Sequence, residues 1–260
     1  MKKFLAIILA ALMILSIASC GKKDDPIENN DNNVAVGDNE STVGGFTYEV
    51  NAKGNYDITG YNHKGTAAVE IEIPAEIEGR PVTGIANSAF KGDISISKVT
   101  IPDSVISIGD LAFAYCDGLK EITLPNSVTA IGQGSFLGCV HLEKVTLSNQ
   151  LTDLGSFAFW GCSAITAITL PDTLTTIGDG AFWNCIALAK ISVPASVTSI
   201  GKAAFMYCDA LTEGVVLNAE AVIGEGAFGA CNDALVLKGA AESTLKTYAA
   251  AEGITFAENK

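Results

Sequence analysis

"AFWGCSAITAITLPDTLTTIGDGAFWNC", from Ala158 to Cys185, contains Ala-Phe-Trp-x-Cys twice, 23 residues apart. Residues of this kind in a fixed order are either the ligands and nucleophiles of a site or the tiles of a repeated wall. Working outward from the stretch decides for the wall. At a shift of 23, Cys116, Cys139, Cys162, Cys185, Cys208 and Cys231 fall in one column without a slip. Phe113, Phe136, Phe159, Phe182, Phe205 and Phe228 form a second column, which Phe90 begins one period earlier. A third holds Ile108, Ile131, Leu154, Ile177, Ile200 and Ile223, each followed by glycine.

Regular Leu and Ile at a period between about 20 and 29 imply a leucine-rich-repeat solenoid, in which each coil buries its apolar face against its neighbours. Leu119-x-x-Ile122-x-Leu124-Pro125 has the alternation of a short strand, ended by proline. The following Val128-x-x-Ile131-Gly132-x-x-Ser135-Phe136 is spaced near three, which predicts a helical or 3₁₀ turn. The expected fold class is therefore α/β, with one short parallel strand and one short helical or 3₁₀ turn per 23-residue coil. Residues one period apart then stack at about 4.7–4.9 Å, so the phenylalanines form an internal pile.

These motifs resemble the BspA-like (treponemal-type) leucine-rich repeats of bacterial surface proteins, with a consensus near L-x-x-I-x-I-P-x-x-V-x-x-I-G-x-x-A-F-x-x-C. The resemblance covers about residues 46–256. "FTYEV", "GNYDITGY" and "EGRPVTGIANSAF" are similar to that family's N-terminal cap and degenerate first coil, and "STLKTYAAAEGITFAE" to its closing helix and strand. Ser148 in place of the coil proline and "LTEGVVLNAEAVIG" near Gly214 depart from the pattern, so less regular coils are expected there. The resemblance implies a non-catalytic binding or adhesion module for a protein or glycan. Alternatives are an envelope spacer or a non-catalytic subunit of a surface enzyme complex.

The N-terminus adds a location. Lys2 and Lys3 precede an apolar run from Phe4 to Leu15, and small residues follow, as in a secretory signal. Ile17-Ala18-Ser19-Cys20 resembles a bacterial lipobox, which implies lipidation of Cys20 and an anchor on the outer face of a bacterial membrane. "GKKDDPIENNDNNVAVGDNESTVGG" is rich in Asn, Asp and Gly and reads as a disordered tether. The expected organisation is a signal peptide at 1–19, a lipidated cysteine and acidic tether at 20–45, a β-rich cap at 46–84, repeats at 85–235 and a closing cap at 236–260.

Charge excludes several partners. The chain has 16 basic and 29 acidic residues; loss of residues 1–19 removes two lysines and no acid, so 14 − 29 leaves −15. Nucleic acid requires clustered Lys and Arg to displace counterions, and no such cluster occurs. Anionic lipid is disfavoured for the same reason, so membrane association is expected through the lipid alone.

The cysteines are isolated and collinear, unlike the paired spacings of a zinc site. A catalytic thiol requires a base, and the histidines are His63 and His141, which read as cap and surface residues. Export permits disulfides, but parallel side chains on identical corners point alongside one another, which favours free buried thiols. No metal or cofactor is expected. Two outward surfaces remain as binding candidates. Lys98, Glu121, Lys144, Ala167, Lys190 and Glu213 form one strand-face ladder, and Thr100, Thr123, Thr146, Thr169 and Ser192 the next. On the turn side, the slot after each phenylalanine holds Leu137, Trp160, Trp183 and Met206, with Tyr207 adjoining. In the resembling family that slot is usually small or polar, which implies an exposed apolar stripe here and a contact surface for a protein groove or a sugar face.

Overall fold

The computed structural model describes residues 41–63 and 67–259. The expectations for the signal peptide, Cys20 and most of the tether lie outside the described residues. The described body opens with an antiparallel meander, β1 (Ser41–Val43), β2 (Phe46–Val50) and β3 (Tyr56–Tyr61). Phe46, Tyr48, Tyr56 and Ile58 turn inward and bury. After β4 (Val69–Glu72) and the short β5 (Glu76–Ile77), β6 (Arg80–Ile85) pairs parallel to β3 and converts the meander into a solenoid.

From there the coils carry two strand columns, the second of them missing over 165–170. The Ile-Gly column forms β8 (Ser107–Ile108), β10 (Ala130–Ile131), β12 (Asp153–Leu154), β13 (Thr176–Ile177), β15 (Ser199–Ile200) and β17 (Val222–Ile223), which extend the meander's sheet in parallel. The period-2 segments form β7 (Ile96–Thr100), β9 (Glu121–Thr123) and β11 (Lys144–Thr146), in one sheet with β4. β14 (Lys190–Val193), β16 (Glu213–Val216) and β18 (Val236–Gly239) lie in a separate sheet that β19 (Thr255–Glu258) closes. Gly214 and its neighbours, expected to be less regular, belong to β16 and keep the parallel register with β14.

The tight turn expected after the Ile-Gly step is present, but its hydrogen bonding stops it from becoming a helix. Within Gly109–Cys116, the N–H groups of Ala112, Ala114 and Cys116 donate three residues back inside the coil. Those of Leu111, Phe113 and Tyr115 donate instead to Gln133, Ser135 and Leu137 of the next coil. Half of the donors are spent on stacking, so no run of i→i−3 bonds builds up. The alternation needs left-handed backbone at two positions per coil. Leu111 and Tyr115 have φ of 56° and 60°, and in the next coil glycine fills both places, Gly134 at 59° and Gly138 at 72°.

The phenylalanine column is the axis of the core. From Phe90 to Phe228, successive rings stack with centroids 5.0–5.5 Å apart and planes within 5–11°. Truncating one ring removes contacts to both neighbours, on the order of 3–5 kcal/mol. The helix α1 (Thr244–Glu252) covers the open end of this pile. Ser243 accepts from the Lys246 amide at its N-terminus, and Gly253 ends it with φ 67°. Leu245 and Ala249 face inward, Tyr248 packs edge-on to Phe228, and its hydroxyl accepts the Phe228 amide at 2.9 Å. That amide would otherwise need a further coil.

Candidate functional site

The turn side does not carry the expected apolar stripe. Leu137, Trp183 and Met206 are only 3–5% exposed, while Trp160 and Tyr207 are half-buried. Leu137 and Trp183 fold back over the glycine three positions earlier in their own turn, and Met206 reaches over Gly226 of the following coil. A Cβ at Gly134 would lie 3.4 Å from Leu137 Cδ1, at Gly180 3.5 Å from Trp183 Cε3, and at Gly226 2.9 Å from Met206 Cε. The preceding coil's Leu111 and Phe157 cover Gly134 and Gly180, at 2.8 and 2.6 Å from such a Cβ. The column Leu111, Gly134, Phe157, Gly180 thus alternates large and small, and the slot residues seal a second apolar layer outside the phenylalanines. Trp183 lies between Trp160 at 6.0 Å and Tyr207 at 6.4 Å, ring to ring. The expectation that Leu137, Trp183 and Met206 are surface contacts is therefore corrected: they are packing residues.

The cysteine column serves the same stacking. Each thiol donates across the coil boundary to a phenylalanine carbonyl 26 residues earlier, for example Cys116 to Phe90 and Cys162 to Phe136, both at 3.0 Å. All six are free, five of them buried. Burial pushes the Cys139 and Cys231 thiols up to about 12 and raises Cys116, Cys162, Cys185 and Cys208 as well. This is the opposite of the shift that arms a nucleophile.

A polar cluster that sequence reasoning missed ties the cap to the first coil. Ser95 Oγ lies 2.6 Å from both His63 Nε2 and Asp93 Oδ1, and His63 Nδ1 is 3.6 Å from Asp93 Oδ2. His63 stacks on Tyr61 at 5.8 Å. Ser95 is only 5% exposed, so the hydroxyl is a buried linker. Asp93 occupies the first place of the cysteine column, where there is no earlier coil to offer a phenylalanine carbonyl. That substitution is the signal the sequence carried. His141 is exposed, with Nδ1 3.0 Å from the Asp117 carbonyl oxygen.

The strand face is the surface that stays open. Lys98, Glu121, Lys144, Ala167 and Lys190 are exposed, and Thr100, Thr123, Thr146, Thr169 and Ser192 stand exposed beside them. A shallow depression of about 260 Å³ lies between Lys98, Thr100, Asp103, Glu121, Thr123 and Pro125. At the far end, the Glu213 carboxylate accepts a hydrogen bond from Lys238 Nζ and lies 3.7 Å from Lys190 Nζ. The Lys238 bond and the Lys190 charge hold its carboxyl below the ordinary range. Among the described residues no group of three or more His, Cys, Asp or Glu converges on a metal position.

The BspA type leucine rich repeat region matches residues 83–212 in six copies. The chain belongs to the BspA-type leucine-rich repeat family. A leucine rich repeat protein of T. pallidum, TpLRR, is 29% identical, with a TM-score of 0.70 over 84% of this chain and 98% of that one. A leucine rich cell surface protein from Faecalibacterium prausnitzii A2-165 shares the fold at 23% identity and a TM-score of 0.52, over 82% of this chain and 76% of that one. No curated protein matches the chain. In this BspA-type body, Phe, Cys and the slot residues are consumed by stacking. The outward strand positions are left exposed.

Proposed function

We propose that the protein is an exported, lipid-anchored BspA-type repeat protein of the bacterial cell surface that works as a non-catalytic binding module for a protein or glycan. The observation that carries this is the division of labour across each coil. Every buried recurrent residue is used in stacking, while the strand face presents a long, regular array of charges and hydroxyls, as repeat proteins use for extended contacts. The lipobox-like Ile17-Ala18-Ser19-Cys20 supports the anchor, and the acidic stretch after it suits a projecting tether. The description of the F. prausnitzii neighbour as a cell surface protein is in line with that location. The raised thiols and the buried Ser95 hydroxyl support a role without catalysis.

Two experiments test the reading. Cys20→Ala should move the protein from the membrane fraction to the soluble exported fraction; unchanged partition sinks the anchor. Saturable retention of the full chain by host or envelope components, lost on neutralising strand-face charges, separates a binding module from a spacer.

A further inference from the structure

The outward charges of the strand face alternate in sign along two runs of the ladder. By strand register Glu70 pairs with Lys98, Lys98 with Glu121 and Glu121 with Lys144. Beyond the middle of the solenoid, Lys190 pairs with Glu213. Between the two halves stands Ala167, one coil from Lys144 and one coil from Lys190, where alternation calls for a carboxylate. The sheet is interrupted at the same place. No strand forms over 165–170, and the ladders end at β11 on one side and begin at β14 on the other. Two coil steps put the lysine backbones on the order of 10 Å apart. Among the described residues Lys144 has no ion pair, and Lys190 reaches Glu213 only at 3.7 Å.

The same face shows what a carboxylate does between two lysines. Glu213, opposite Lys190 and diagonal to Lys238, accepts a hydrogen bond from Lys238 and feels the charge of Lys190, which together lower its carboxyl. The gap over Ala167 has the two lysines and lacks the acid. We propose that this gap takes a Glu or Asp side chain of a partner polypeptide, its carboxylate bridging Lys144 and Lys190, with the Thr146, Thr169 and Ser192 hydroxyls as further donors.

Charge complementarity favours this occupant. Against a formal −13 for the chain, a place where Lys144 has no ion pair among the described residues and Lys190 reaches its one carboxylate only at 3.7 Å is a local excess of positive charge that attracts an anion. The vacancy is one ladder position wide, the footprint of a single carboxylate. A sulfated glycan meets the charge but spreads several anions over a longer track. The inference rests on the binding-module reading and names the chemistry of its partner.

The test uses the full chain in detergent and a dye-labelled hexaglutamate peptide, followed by anisotropy at about 20 mM salt, because exposed ion pairs are weakened by screening. Ala167→Glu supplies the missing carboxylate from within, and Ala167→Gln has its shape without the charge. The expected result is that hexaglutamate binds the parent and Ala167→Gln alike and binds Ala167→Glu at least fivefold more weakly, with unchanged melting of all three. Equal binding by the Glu and Gln variants overturns the proposal, as does absence of hexaglutamate binding to the parent. Binding of a heparin oligosaccharide but not hexaglutamate, lost in Ala167→Glu, overturns it in favour of a sulfated glycan. Each of these failures leaves the surface-anchor reading standing, since that depends on Cys20.

Discussion

The Sγ of Cys139 lies 3.0 Å from the carbonyl oxygen of Phe113, 26 residues earlier in the chain and one coil away in space. The bond joins the two columns that recur in the sequence: one coil's thiol adds a second donor to a carbonyl that already accepts the Cys116 amide of its own turn. Cysteine is small enough for that corner and donates weakly without needing a second partner. Cys139→Ala removes the second donor and opens a small void while the Cys116 amide keeps the carbonyl paired, which costs about 0.5–1.5 kcal/mol. Cys139→Val cannot replace the second donor either, so filling the volume alone should not restore the full stability. Chemical denaturation of the two variants checks this; a change below about 0.5 kcal/mol for Cys139→Ala would show that the bond contributes little.

The same column predicts an alkaline limit. An ordinary thiol ionises near 9.0, whereas Cys139 and Cys231 are pushed up to about 12. A folded value above the unfolded one means that the native state holds protons that the unfolded chain has lost. The stability they represent is complete below pH 9 and is lost as pH rises from there towards 12. Each such thiol contributes a slope of about 1.4 kcal/mol per pH unit in that window. Melting temperature should therefore fall steeply above pH 9, and replacing Cys139 by Ala should flatten the fall. A pH-independent melting temperature from 8 to 11 would contradict the burial of the column.

Phe159 lies between Phe136 at 5.2 Å and Phe182 at 5.5 Å and is fully buried. Phe159→Ala should cost about 3–5 kcal/mol, because stacked neighbours on both sides cannot collapse into the space. Since each coil depends on its neighbours, amide exchange should rise over several coils, not only in the altered one.

The solenoid was legible because it turns a sequence period into a spatial stack: the position of Phe159 implies its contacts with Phe136 and Phe182 without any knowledge of the rest. Two features were not. The Ile-Gly step forms a second sheet, but Ala130–Ile131 is too short for alternation to show, and its spacing resembles a helical turn. The place of Trp183 was hidden because exposure of the slot is decided by Gly180, three residues earlier, and by Phe157 one coil back. Neither is visible from the phenylalanine column alone. The vacancy at Ala167 was in view as a break in the Lys-Glu ladder, and its meaning came from Glu213, whose carboxylate shows how the face treats an acid.

The two tryptophans should be separable by fluorescence. With Trp160→Phe, the remaining Trp183 is 5% exposed and should emit at short wavelength with little quenching by iodide. With Trp183→Phe, the half-buried Trp160 should emit further to the red and quench more readily. Equal quenching of the two would contradict the second apolar layer.

Gly161 and Gly180 offer the sharpest test of how that layer is built. Both have left-handed backbone, at φ 73° and 59°, so alanine at either place carries conformational strain of about 1–2 kcal/mol. They differ in space. A Cβ at Gly161 meets nothing nearer than the Gly138 backbone at 3.8 Å, whereas one at Gly180 would lie 2.6 Å from the Phe157 ring. Gly161→Ala should therefore cost the strain alone, and Gly180→Ala should add about 1–3 kcal/mol of overpacking. The extra cost belongs to the pair, so it should vanish in a double-mutant cycle with Phe157→Ala, giving a coupling of the same size. If the two alanine variants melt alike, the large-small alternation of Leu111, Gly134, Phe157 and Gly180 does not order the turns, and the burial of Trp183 needs another cause.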